Sequence, residues 1–205
     1  LDGNYPTGTN NVALGDTALD DGSLSGGNNT AVGNATLTAT TSGANNVAVG
    51  SQAMDANTTG SENVAVGKNT TADDNTGVGH QALKATTTGA GNTALGKEAL
   101  TLNTTGERNV AVGTNTMDAN TTGDRNTAVG YAALSDYNVT DGGNDYNVAV
   151  GYAALNQTTT GAFNTAVGGD ALQANTTANS NTAVGYDALR ANTTGAKNVA
   201  IGSQA

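Results

Sequence analysis

The side chains best equipped for chemistry in this sequence are one histidine, His80, and a group of oxygen donors at Asp136, Asp141, Asn144 and Asp145. A catalytic base or nucleophile needs a partner group within hydrogen-bond reach. His80 follows a glycine corner at a variable position of a repeat, and no acid recurs beside it, so it reads as a surface residue. Asp136, Asp141 and Asp145 offer the hard oxygen ligands that Ca²⁺ takes. Their spacing fits neither the EF-hand loop nor the glycine-aspartate nonapeptide of calcium-binding rolls, and a plain polar loop is the simpler reading. Asp73 and Asp74 offer a weaker version of the same feature. With no cysteine in the chain, a thiolate zinc site and a disulfide framework are both excluded. The expectation is a protein that is not an enzyme and holds no cofactor beyond that possible calcium. Five tyrosines, Tyr131, Tyr137, Tyr146, Tyr152 and Tyr186, are the candidates for contact with a glycan or protein receptor, since outward rings stack well. Packing against a neighbouring coil or chain is the alternative for each.

Composition narrows the classes further. A formal charge of -10, from 17 acidic against 7 basic residues, disfavours nucleic acid and anionic lipid. No stretch approaches the roughly 18 apolar residues of a membrane span. One Phe, no Trp and an apolar content made mostly of Ala and Val allow only a thin core. A thin core in a chain rich in Asn, Thr and Gly points to repetition.

The pentamer Asn-(Thr/Val)-(Ala/Gly)-(Val/Leu/Ile)-Gly recurs twelve times, starting at Asn11 and ending at Asn198. Eight of the eleven intervals are 17 residues; the others are 18, 12 and 21. Counting from the Asn, the fourth position is always a branched aliphatic and the ninth is Leu or Met wherever it is present. Asn181 to Lys197, NTAVGYDALRANTTGAK, is a complete copy.

Alternation over the second to fifth positions is the mark of a strand. Bulk predicts that the second and fourth residues, such as Val112, point inward and meet the ninth-position Leu from the opposite wall. The small third and fifth residues would then form a flat outer wall open to another chain. The Asn of every copy suits either a hydrogen-bonded ladder between stacked coils or a simple strand start after a turn. Glycines at the fifth and fifteenth positions suit corners with positive φ. The second half of the repeat predicts a short second strand or, alternatively, one helical turn. Twelve coils at about 4.8 Å give a rod near ~58 Å long.

The chain therefore predicts one all-β repeat domain over 1–205, a parallel β-solenoid of about twelve 17-residue coils. The copy at 63–74 is five residues short and loses its Leu layer, and an insertion falls at 135–146. Neither end reads as a cap, so the expectation is a segment of a longer fibre. A two-walled coil this thin is marginal alone, which favours a homotrimer, intertwined or side by side, around one axis.

The pentamers Asn46-Val47-Ala48-Val49-Gly50 and Asn198-Val199-Ala200-Ile201-Gly202 resemble the head repeat of YadA-like trimeric autotransporter adhesins. The longer unit with its Asn-Thr-Thr-Gly turn is similar to β-solenoid repeats of bacteriophage tail fibres. At 17 residues against the adhesin's usual 14 or so, the tail-fibre form is the nearer one. The resemblance implies a left-handed parallel β-roll, a homotrimer, an extracellular place on a virion or cell surface, and attachment to a host receptor. An ice-binding solenoid and a calcium-dependent extracellular spacer are the competing functions.

Overall fold

The computed structural model describes residues 8–20, 22, 24–68, 72–140 and 143–205. Among these, twelve three-residue strands follow one another along the chain. They are β1 Val12–Leu14, β2 Thr30–Val32, β3 Val47–Val49, β4 Val64–Val66, β5 Thr76–Val78 and β6 Thr93–Leu95, then β7 Val110–Val112, β8 Thr127–Val129, β9 Val148–Val150, β10 Thr165–Val167, β11 Thr182–Val184 and β12 Val199–Ile201. Each pairs in parallel with the next, so the sheet order is the chain order from β1 to β12. The register is strict: Ala111 lies beside Ala94 on one side and Ala128 on the other. The irregular spacings leave it untouched, since β4 still pairs residue for residue with β5 across the short copy. The chain is a parallel β-solenoid of twelve stacked coils.

The strand faces are the reverse of what bulk predicts. The third-position alanines, from Ala31 to Ala183, are wholly buried, while the second and fourth residues look out. Val112 is only half-buried, on the outer face. The interior is narrow because the opposite wall already fills it with ninth-position residues, buried from Leu19 through Leu37, Leu83, Leu100 and Leu134 to Leu172 and partly buried at Leu189 near the last coil. A methyl group is what remains to be accommodated between the walls, and a valine there would overpack the coil. The alanine and glycine wall is thus the inside of the coil, not a surface for sister chains.

The second half of the repeat is neither strand nor helix. It is a run of turns in which the seventh, ninth and seventeenth residues take positive φ although they are not glycine. Glu98 has φ 60°, Leu100 51° and Arg108 55° in one coil. Such a φ is unfavourable for a leucine by roughly 1–2 kcal/mol. Two gains offset it. The side chain enters the core, and the backbone bonds to both neighbouring coils. Glu98 N–H donates to the His80 carbonyl of the preceding coil at 2.9 Å, and Leu100 N–H donates to Thr116 of the following coil at 3.1 Å. Hydrogen bonds therefore run along the axis around the whole circumference, through turns as well as strands.

Glycine at the fifth position has two reasons. Its φ is 136° in Gly113, and a Cβ there would strike the carbonyl of Gly130 in the next coil. At the fifteenth position of the coils from Gly43 to Gly195 φ is not positive, contrary to the corner predicted there, and only the equivalent Gly8 before the first coil has such a φ, 87°. Glycine is needed because the next coil and the Asn side chains approach so closely. Ala178 stands in that place in one coil, and its carbonyl accepts the same Asn amide.

The first-position asparagines form the ladder. Each is buried from Asn29 to Asn181, and each Oδ1 accepts the backbone N–H of the Asn one coil on. In the middle of the rod, Asn109, Asn126 and Asn147 accept or donate in this way at 2.9 Å per step. The amide end is used too: Asn109 Nδ2 donates to the Gly123 carbonyl at 2.7 Å. A second inner polar row, unforeseen in the sequence, lies at the twelfth position. Asn57, Asn103 and Asn120 each donate there to the glycine carbonyl three residues on.

The short copy divides the interior. With its Leu layer missing, the buried apolar residues form one cluster from Ala18 to Ala65 and another from Ala82 to Ala188. The strand, the Asn row and turn bonds such as Asp74 N–H to the Ser61 carbonyl at 3.0 Å continue across.

Candidate functional site

Two surfaces have the character of an interaction site, and both follow from the reversed strand faces. The larger is the outer side of the sheet itself. A small third residue inside forces the branched second and fourth residues outside, in every coil. Val47, Val49, Val64 and Val66 are 38–40% exposed, and the last strand leaves Val199 and Ile201 above 70% exposed. No residue at the second or fourth position carries a charge, although the chain as a whole is at -10. The face is therefore a flat, uncharged band of Val and Thr, continuous over twelve strands.

The second surface is aromatic and confined to the later coils. Tyr131 and Tyr152 occupy the sixth position of consecutive coils, just beyond the strand. Their rings stack at 5.5 Å with 10° between planes, and both are more than half exposed. Tyr186 is exposed at the same position two coils further on and lies against Gly169. At the other end of the strand, Tyr146 and Phe163 occupy equivalent places before their Asn and stack at 5.9 Å. The Arg125 guanidinium, one coil earlier, sits 5.8 Å over the Tyr146 ring and extends the column. Phe163 was not among the residues picked from the sequence; its signal is that it immediately precedes Asn164, as Tyr146 precedes Asn147. In both columns ring faces meet along the axis, so the edges point to solvent and free faces remain only at the column ends.

Tyr137 belongs to neither column. It is wholly buried and is no candidate for receptor contact. Counted from Asn126 it is the twelfth residue, so its ring takes the interior place that Asn120 holds one coil earlier. The insertion thus begins after Tyr137, and the coil resumes where Asn144 bridges to Asp124.

The oxygen donors around the insertion do not converge. Asp136 and Asn144 are exposed, Asp145 is buried, and Asp141 lies outside the described residues. Asp145 is taken up by the protein: its carboxylate accepts the Asp124 N–H at 3.0 Å and the Tyr137 hydroxyl. Burial raises its pKa above the ordinary 3.8, against the lowering effect of these bonds, and the nearby Asp124 adds a smaller push in the same direction. Asp73 is exposed, and its carboxylate accepts the Ser61 N–H at 2.8 Å. His80 is exposed. Among the described residues no three of His, Cys, Asp and Glu come together as a metal site would require, and no helix is long and apolar enough to cross a membrane.

Compared with protein-family models, with curated proteins and with solved structures, the chain matches none.

Proposed function

We propose that this chain is a structural and adhesive element, not an enzyme: a rod that assembles with copies of itself through the outer Val/Thr face of its sheet. The single observation that supports this reading is the uncharged band running the length of the rod. Burying a valine is worth roughly 1.5–3 kcal/mol, and the band offers such side chains on every coil. An acidic chain repels its copies through charges carried elsewhere, so an uncharged strip is where they can meet. Three chains around one axis parallel to the rod bring equivalent coils to the same height and hide the band on each. The repeat's resemblance to trimeric adhesin heads and phage tail fibres supports the same arrangement, an extracellular setting, and attachment to a host or surface. The exposed tyrosine and phenylalanine columns, with Tyr131, Tyr146, Tyr152 and Tyr186, are then the candidates for the receptor.

Light scattering on the purified chain tests the assembly. A mass three times the 20.0 kDa of one chain is the expected result. A charge placed in the band, Val112→Asp, is expected to give a folded monomer. A wild-type chain that stays monomeric at high concentration overturns the reading.

One observation favours a second function. Threonines at the second position stand on the flat outer sheet, as Thr30 and Thr127 do, rather than in the turns. An ice-binding face needs such rows, and it needs them free. Thermal hysteresis from a monomeric chain would select this alternative.

A further inference from the structure

The outer face repeats in shape but not in chemistry. Every coil presents the same two side-chain positions, so geometry alone would let one copy slide along another by a coil, about 4.8 Å, with little loss of contact. The fourth position offers no resistance to sliding, because it is a branched aliphatic throughout. The second position alternates irregularly. From the first coil to the twelfth it reads Val-Thr-Val-Val-Thr-Thr-Val-Thr-Val-Thr-Thr-Val.

The six threonines concerned are Thr30, Thr76, Thr93, Thr127, Thr165 and Thr182, all half-buried on the outer face. Among the described residues none of their hydroxyls is hydrogen-bonded within the chain. The turn threonines behave differently: Thr87, Thr104, Thr159 and Thr176 each donate to a carbonyl one coil on, at 3.0–3.2 Å. The outer hydroxyls thus keep their bonding capacity for whatever covers the sheet.

We propose that the order of Thr and Val at the second position sets the axial register between copies of this chain. The inference rests on the self-association reading above. When copies stand level, threonine meets threonine and valine meets valine in every coil, and the hydroxyls pair across the interface. A one-coil offset leaves like opposite like only at Val47/Val64, Thr76/Thr93 and Thr165/Thr182. A three-coil offset does better, yet still sets Val47 against Thr93, Thr93 against Val148 and Val110 against Thr165, and it uncovers three coils at each end. Each mismatch strands a hydroxyl against a valine, where burial without a partner is unfavourable. The row has the role that a buried polar residue has in choosing register between coiled-coil helices.

The test replaces all six threonines by valine. Half of the coils already carry valine at this position, so the fold is retained, and a circular-dichroism melt checks it. In native mass spectrometry the wild-type chain is expected to give one discrete oligomer. The six-valine variant is expected to associate into a spread of masses, since staggered chains leave overhanging coils that recruit more chains. When the two chains are refolded together, mixed oligomers are expected about tenfold or more below random mixing, the ratio that 1.4 kcal/mol gives. A variant as discrete as the wild type, mixing with it at random, overturns the proposal and leaves self-association standing. A monomeric wild-type chain removes both.

Discussion

The two walls of each coil solve the same packing problem in opposite ways. The strand wall is regular in backbone, with a small residue inside and a large one outside. The turn wall is strained in backbone, with a large residue inside and polar ones outside. Both are bonded along the axis, coil to coil. Stacking therefore does not depend on β-structure; it depends on N–H and C=O groups pointing up and down the rod. The walls differ in what the interior asks of them. Leu100 needs an unfavourable φ to reach the core, and Ala111 reaches it without strain because little space is left.

Five substitutions break or sharpen this contrast. The largest effect is expected at the row that belongs to neither wall. Asn109→Ala removes the oxygen to which both the backbone N–H and the Nδ2 of the buried Asn126 donate, while the Gly123 carbonyl keeps the Asn120 amide. Two buried donors at about 1–3 kcal/mol each give a loss of about 2–6 kcal/mol in denaturant unfolding. Next comes the turn wall, where Leu100→Ala empties a fully buried site and is expected to lose about 2–5 kcal/mol.

The strand wall is expected to respond in the order opposite to hydrophobicity. Ala111→Val adds bulk to a full interior and should destabilise by about 1–3 kcal/mol. Val112→Ala, removing bulk from the outer face, should change an isolated chain by less than about 1 kcal/mol. Melts of both variants at concentrations where the chain is dissociated decide the matter. Equal losses from the two would mean that the faces are assigned wrongly.

The smallest effect concerns Asp145 in the insertion. Its folded pKa lies above the unfolded one, so the charged form is disfavoured by folding. That penalty is fully present at neutral pH, fades as pH falls through the raised pKa, and is gone below the unfolded value near 3.8. The difference in melting temperature, Asp145→Asn minus wild type, should therefore shrink on acidification. A difference that is flat with pH would assign the carboxylate no such role.

Much of this was readable from the residues alone. The interval between asparagines gives the coil, the recurrent Leu or Met gives one side of the core, and the unbroken Asn column follows from a polar residue recurring at a fixed distance. The strand faces were not readable from alternation, since a period of two divides residues into sets without saying which set is inside. Size suggested valine; the room left by Leu100 and its equivalents decided for alanine. The turn wall was hidden because leucine at positive φ contradicts its ordinary preference, and only the bonds to both neighbours explain it. Tyr137 was misread for a different reason. Its place twelve residues into its coil already put it inside, but the irregular spacing drew attention to the insertion instead. The outer tyrosines were legible as exposed rings, while their pairing along the axis needed the coil spacing in three dimensions.

The axial bonds carry a mechanical consequence. A pull on the two ends of the rod acts along those bonds, so a single chain yields by peeling, one coil at a time, rather than by sliding strands past each other. Each freed coil of 17 residues trades about 5 Å of rod for close to 60 Å of extended chain. A tether built this way lengthens in steps under load before it snaps.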